Sequence, residues 1–373
     1  MPIKRPKGPP GRTVVVEHES AVLRGNPLGD PVKRPVTVWL PAQYDDQRLA
    51  DRRYPVLYDL VGFTGSGPAH AGWKAFGESV PERAARLIHE KKMEPAIIVM
   101  PDCFTALGGN QYVNSSAIGA YADYLTREII PFVDAQFRTL ASREHRGCFG
   151  KSSGGYGAIV HGMKYPKFWG AIADHSGDAY FDFVYRSDWP NTLNALAAFA
   201  KPRREVGAID VVARSKATGE GFDDGRIAAF LDAFWKKKKV AGPDVHTVMN
   251  LCMAATYDPD PEAPNGFRVP FDLETGELIE PRWKKWLAND PIHMVGRHAA
   301  ALRSLRGIYI DCGWADQYHI QYGTRILSKR LAEASIPHVY EEFDDTHSDI
   351  DYRMDVSLPF LVKSLEEAKA TKK

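Results

Sequence analysis

The sequence predicts an α/β fold: a mainly parallel central sheet with helices on both faces and an inserted cap. Three observations predict it. Short apolar or β-branched runs recur along the chain and alternate with segments whose apolar residues follow a helical period. The run Ala96–Met100 (Ala-Ile-Ile-Val-Met) is apolar throughout, as a strand covered on both faces must be. The alternation stops near residue 182 and resumes near residue 290, and between them the chain is Ala-rich, then Lys-rich, then Pro/Asp/Glu-rich with few clear strands. The expected organisation is a loose Pro/Gly/Lys-rich segment (1–12), a first core part (13–181), a cap or lid insertion over the carboxyl end of the sheet (182–290) and a second core part (291–373).

Taken in order, Thr13–His18 and Pro35–Leu40 read as β-branched strands, and Pro55–Leu60 as a third that runs into the Gly-rich stretch Val61–Gly67. Ala117–Phe137 carries Ile118, Tyr121, Leu125, Ile129, Phe132, Val133 and Phe137 at helical spacing. A strand at Arg146–Phe149, a helix through Ala158, Ile159, Gly162 and Met163, and a strand at Gly170–Ala173 complete the first part. Beyond the insertion come a helix (Ile292–Leu302), a strand (Gly307–Ile310), a helix (Tyr318–Ala334), a strand (His338–Phe343) and a last helix (Val356–Ala368).

The 373 residues are 44% hydrophobic and 25% charged, with a net charge of +1, so a large core is available and no basic field argues for nucleic acid or an anionic membrane. Lys236–Lys239 reads as a solvated helix face, and Asp258–Glu262 as a solvated loop whose prolines splay its carboxylates away from any metal. Cys103, Cys148, Cys252 and Cys312 lack the spacing of a zinc or redox motif and are expected as free thiols in a reducing compartment. The N-terminus has no apolar signal region, and no stretch approaches the roughly 20 apolar residues of a membrane span, so a cytoplasmic protein is expected. No metal or cofactor is implied; a homo-oligomer is compatible with this composition.

Residues 148–157 read Cys-Phe-Gly-Lys-Ser-Ser-Gly-Gly-Tyr-Gly and contain G-x-S-x-G at 150–154. A strand-like lead-in and a helical pattern flank it, the context of a nucleophile elbow. The sharp turn tolerates almost no side chain two residues before and after the nucleophile. Gly150 and Gly154 meet that demand around Ser152, whereas Lys151 is too bulky to serve Ser153 in the same way. Ser152 is the candidate nucleophile. A serine hydroxyl needs a base, and the base an orienting acid. After Gly307–Ile310 two aspartates compete: Asp311 at the strand end, pointing into or along the sheet, and Asp316 out on the loop, which is favoured and would also suit the N-cap of the following helix. His347 stands in the loop after the last strand and is the candidate base; His338, at a strand start, and His319, inside a helix, read as structural. The backbone N–H of Ser153 and one from Phe63 or Thr64 are the expected oxyanion donors, with nearby glycines letting that loop approach closely.

With these residues placed, the chain resembles the esterase D / enterochelin-esterase-like group of α/β-hydrolases, the putative esterase family, whose wider group includes mycolyltransferases of the antigen 85 type. The matching pieces are Asn26–Asp30 with Val38–Pro41, Tyr54–Tyr58, Pro101-Asp102, Gln111–Ser115, Gly150–Gly155, Asp174–Asp178, Gly313–Asp316 and Thr346–Ser348. They span roughly 13–180 and 290–365. The resemblance implies the α/β-hydrolase fold with Ser152 as nucleophile, Asp316 as acid and His347 as base. Two departures stand out: Val61-Gly62 replaces the usual His-Gly before the oxyanion residue, and the insertion is longer than in the simplest members.

The expected activity is a serine carboxylesterase acting on a small or medium small-molecule ester through an acyl-enzyme. Acyl transfer to a sugar or other alcohol, and a non-catalytic binding protein of the same fold, are the alternatives. Trp189, Phe222, Phe234, Trp235, Phe267, Phe271, Trp283 and Trp286 in the insertion either line an acyl or aryl pocket or form the insertion's own small core; Thr64, Trp235 and Trp283 are the named substrate-binding candidates.

Overall fold

The computed structural model describes residues 8–201 and 223–366. Most of the expected loose N-terminal segment, Phe222 and the last residues of the C-terminal helix lie outside them. Eight strands form one sheet: β1 (Arg12–Glu19), β2 (Lys33–Leu40), β3 (Val56–Leu60), β4 (Ile97–Pro101), β5 (Arg146–Lys151), β6 (Ala171–His175), β7 (Gly307–Gly313) and β8 (Val339–Phe343). Their order is β1-β2-β4-β3-β5-β6-β7-β8. Strand β2 runs antiparallel to β1 and β4, and every other pairing is parallel.

The two-residue period of a strand divides the core into two layers. Val56, Tyr58 and Leu60 of β3, Ile97 and Val99 of β4 and Cys148 of β5 face one layer. Leu57, Ile98 and Phe149 from the same strands face the other. The second layer is closed by α1 (Val80–His89) and the long C-terminal helix Met354–Glu366. Helix α1 begins in a capping box: the Ser79 N–H donates to Glu82 Oε2 (2.8 Å), and the Glu82 N–H returns to Ser79 Oγ (3.3 Å). The first layer is closed by the helical stretch Tyr121–Gln136, by α2 (Ser153–Lys164) and by helices of the 182–290 segment.

The described part of that segment is mainly helical, as its shortage of strand signals implies. Its described long helices are α3 (Trp189–Ala197), α4 (Arg226–Lys236), α5 (Gly242–Tyr257) and α6 (Glu280–Leu287). After β7 the chain continues through α7 (Ile320–Glu333), then β8 and α8 (Met354–Glu366).

Four expectations change. The helix expected from Ala117 begins at Tyr121, because Asn114–Ser115 and Gly119–Ala120 pair as a short antiparallel ribbon, and its middle, Tyr124–Ile129, is wound as a π-helix. The helix expected over Ile292–Leu302 is three short pieces, Pro291–Met294, Gly296–His298 and Ala299–Arg303. Asp258 is not solvated: it is fully buried, accepting from Arg282 Nη1 (2.6 Å) and Lys285 Nζ (2.5 Å). His319 does not lie inside a helix but caps α7 at a φ of 63°. No helix among the described residues is long and apolar enough to cross a membrane.

Candidate active site

Strand β5 delivers Ser152 to the carboxyl edge of the sheet, and α2 starts at the next residue. Ser152 has φ 58° and ψ −124°, a conformation an L-residue adopts only under constraint, at a cost of about 1–3 kcal/mol. Part of the constraint is the bond from the Ser152 N–H to the His175 carbonyl (2.9 Å). The flanking glycines are a steric necessity: a Cβ on Gly150 would lie 2.1 Å from the Leu60 carbonyl oxygen, and one on Gly154 only 1.7 Å from it. Ser153 is the first residue of α2, where no intrahelical carbonyl is available to its N–H. Its hydroxyl is buried and accepts from Gln111 Nε2 (2.7 Å).

Both competing aspartates hold a histidine. Asp316 Oδ2 lies 2.7 Å from His347 Nδ1, and its Oδ1 accepts from the Tyr318 N–H (2.8 Å). The His347 N–H is held by Gln317 Oε1 (2.9 Å), and the His347 ring packs edge-on against Tyr318. Asp311 Oδ1 lies 2.7 Å from His175 Nδ1. The far nitrogen of His175 meets the buried Ser357 hydroxyl (2.8 Å), while Arg353 Nε and the Tyr309 hydroxyl donate to Asp311 Oδ2 (2.8 and 2.9 Å). Strand β7 extends to Gly313, so Asp311 sits within the strand rather than at its end. The Asp311–His175–Ser357 set has the spacing of a hydrolytic triad but no access, because all three are buried under the sheet.

Access separates the two. A cleft of about 160 Å³ is lined by Ser152 and His347 together with Gly62, Phe63, Thr64, Lys151 and Asp178. The 182–290 segment adds Val184, Tyr185, Val245, His246 and Met249, and the α7 region adds Tyr318 and Ile320. The Thr64 N–H is already engaged by the Gly108 carbonyl (2.9 Å). The Phe63 N–H has no backbone acceptor among the described residues. Trp235 lies elsewhere: it is half exposed, donates through Nε1 to the Ala106 carbonyl (2.9 Å) and lines a separate surface groove with Asp30, Asp102 and Phe104. Trp283 is buried against Trp189 and Trp286 inside the 182–290 segment and does not line the cleft. Of the three substrate-binding candidates, Thr64 reaches the cleft.

Several cleft residues were given no role by the sequence, Asp178, His246 and Tyr185 among them. Asp178 follows β6, next to the nucleophile strand, and its place at the carboxyl edge of a parallel sheet was the available signal. Burial pushes its carboxyl upward from the ordinary value, opposed by hydrogen bonds from Tyr185 and Gln111. His246 enters from α5, its Nδ1 3.2 Å from Asp188 Oδ2 and its Nε2 3.5 Å from the Tyr318 hydroxyl. Tyr185 enters from the start of the insertion. Among the described residues no group of three or more His, Cys, Asp or Glu side chains could hold a metal ion.

Known proteins share this architecture. A solved ferulic acid esterase superposes with a TM-score of 0.54 at 20% identity, covering 95% of this chain and 99% of its own. An S-formylglutathione hydrolase of Agrobacterium tumefaciens superposes with a TM-score of 0.54 at 17% identity, over 97% and 99%. At those identities the likeness is one of fold, the α/β-hydrolase fold. In sequence, an esterase of Mycobacterium tuberculosis is 32% identical over 170 residues, 43% of this chain and 33% of that protein, so the match spans about a third of the curated relative's length. The model of the putative esterase family matches residues 31–357, most of the chain and both parts of the site, and the protein belongs to that family.

Proposed function

We propose that the protein is a serine carboxylesterase that hydrolyses a small ester through an acyl-enzyme, with Ser152 as nucleophile, His347 as general base and acid, and Asp316 as orienting acid. The observation that carries this reading is one cleft holding Ser152 in a strained elbow and His347 already bound through Nδ1 to Asp316. With Nδ1 committed, Nε2 is the nitrogen left to take the Ser152 proton. Oγ bonds to the carbonyl carbon, and the carbonyl π pair moves onto oxygen. The N–H groups of Ser153 and Phe63 are the proposed donors to that oxyanion. Collapse expels the alcohol, which takes the proton from His347. Water then repeats the sequence with His347 as base, releasing the carboxylic acid and restoring the serine.

The 182–290 segment acts in this reading as a cap, supported by the five side chains it gives the cleft, and the small cleft favours a small acyl group. A cytoplasmic setting belongs to the same proposal, supported by four free thiols scattered through the core. Turnover of a short-chain nitrophenyl ester should fall by about 10³-fold or more in Ser152→Ala. A fluorophosphonate should label Ser152, with peptide mapping excluding Ser153. Equal rates in wild type and variant would remove the assignment.

A further inference from the structure

We propose that Asp178 is a specificity-determining acceptor, selecting acyl groups that carry a hydrogen-bond donor, a hydroxyl or an ammonium, on the carbon next to the reacting carbonyl. This rests on the reading of Ser152 as nucleophile.

Asp178 is the one carboxylate among the described residues lining the cleft. Its two oxygens have different surroundings. Oδ2 accepts from the Tyr185 hydroxyl (2.7 Å), Gln111 Nε2 (3.1 Å) and the Ser153 hydroxyl (3.4 Å). Oδ1 faces the nucleophile, with Ser152 Oγ at 3.5 Å. The donors to Oδ2 come from separate stretches of chain, and Tyr185 is itself wedged between Phe181 and Trp286. The carboxylate is therefore fixed in orientation before any substrate arrives. None of its hydrogen-bond partners among the described residues is a cation.

That arrangement is unfavourable for an ester that brings nothing to it. Once Ser152 Oγ joins the carbonyl carbon, Oδ1 loses its donor in a buried site. The negative charge growing on the carbonyl oxygen also develops beside this carboxylate, with the His347 imidazolium formed in the same step as its counter-charge in the cleft. A substituent on the carbon next to the carbonyl is two bonds from the atom that joins Oγ, which brings it within hydrogen-bond reach of an acceptor 3.5 Å from that oxygen. A hydroxyl there restores the lost hydrogen bond, and an ammonium restores it and offsets the charge. A site built around such a bond discriminates strongly against the analogue lacking the donor.

The test compares kcat/KM for methyl propanoate, methyl lactate and methyl alaninate in wild type and Asp178→Asn, by titrating released acid. Wild type should prefer the lactate ester, the alaninate ester or both over the propanoate by about 10²-fold or more, and the two arms separate hydroxyl from ammonium recognition. In Asp178→Asn that ratio should collapse to within a few fold. Tyr185→Phe removes one clamp from Oδ2 while leaving the carboxylate, and should cut the ratio roughly tenfold even if the Asn variant folds poorly. Equal kcat/KM for all three esters in wild type, or a ratio unmoved by both substitutions, would overturn the assignment while leaving the esterase reading intact. No turnover of any ester, with no fluorophosphonate label at Ser152, would instead bring down the esterase reading and this proposal with it.

Discussion

At the scale of single residues, three aspartate–histidine pairs among the described residues share a 2.7 Å separation, Asp59–His70, Asp311–His175 and Asp316–His347, and their surroundings distinguish them. His347 opens onto the cleft that contains Ser152; His175 is closed off by Ser357. Asp316→Asn should therefore leave folding nearly intact and lower kcat by about 10³–10⁴-fold, because the imidazole loses the partner that fixes its tautomer. Asp311→Ala should do the reverse. It strips a buried carboxylate from His175, Arg353 and Tyr309, and should lower stability by about 3–5 kcal/mol while the folded fraction keeps its turnover. Urea midpoints measured beside single-turnover rates separate the two effects, and an Asp311 variant that folds normally but does not turn over would exchange the roles. The strained turn at Ser152 was legible in the sequence because the elbow's need for glycine is local. The place of Asp316 on a loop beyond the strand was legible because the glycine before it lets the chain turn away from the sheet. The partnership of Asp311 with His175 was not legible, since it joins neighbouring strands whose register no local pattern encodes.

At the scale of elements, the buried strands were read within one or two residues, because a run covered on both faces must be apolar from end to end; β7, which runs on through Asp311 to Gly313, exceeds its expected end by three. The helix boundaries were read less well. The expected helix over Ile292–Leu302 is interrupted near Gly296, and the apolar pattern of the pieces records burial without recording the break. Helix α2 carries a further consequence in His161. That ring is wholly buried, its Nε2 2.7 Å from the Tyr112 carbonyl and its Nδ1 accepting from Trp169 Nε1 (3.1 Å), and the acceptor role of Nδ1 requires a neutral imidazole. Burial pushes its pKa down to about 4, against about 6.5 in the unfolded chain. As pH falls below about 6.5 the unfolded state takes up a proton that the folded state refuses, so His161 contributes stability present above that pH and lost on the way to about 4. Asp174, raised to about 7 chiefly by burial, tilts the other way: its contribution is full below about 3.8 and lost as pH rises through about 7. The contributions of these two groups should thus nearly cancel between these limits. The disadvantage of His161→Gln relative to wild type should shrink by about 3 kcal/mol from pH 7 to pH 4. Urea titrations of both proteins at three pH values check this, and a gap constant with pH would contradict it.

At the scale of the whole molecule, the 182–290 segment and the sheet share one apolar interior. Tyr156 of α2 packs on Phe181 and on Tyr257 of α5, and Tyr257 in turn packs on Trp286 of α6. Leu251 and Met253 of α5 belong to the same buried cluster as Tyr58 and Val99 of the sheet. Composition sets the segment apart from the alternating runs on either side, but the aromatics it carries gave no indication of what they pack against. Trp283 turned inward, Trp235 turned toward Ala106, and the segment gives the cleft Val184, Tyr185, Val245, His246 and Met249 instead. A segment joined to the sheet through a common core should not melt ahead of it. Tryptophan emission in a Trp39→Phe, Trp169→Phe background, where the buried indoles left are Trp189, Trp283 and Trp286, and far-UV circular dichroism, weighted toward the whole chain, should give coincident urea transitions. Phe181→Ala tests the coupling directly, because that ring touches Tyr156, Tyr185 and Tyr257. Its removal should cost about 3–5 kcal/mol and move both transitions by the same amount. If emission moved while circular dichroism stayed, the segment would be an independent folding unit resting on the sheet, and the cleft between them would be free to open without unfolding either side.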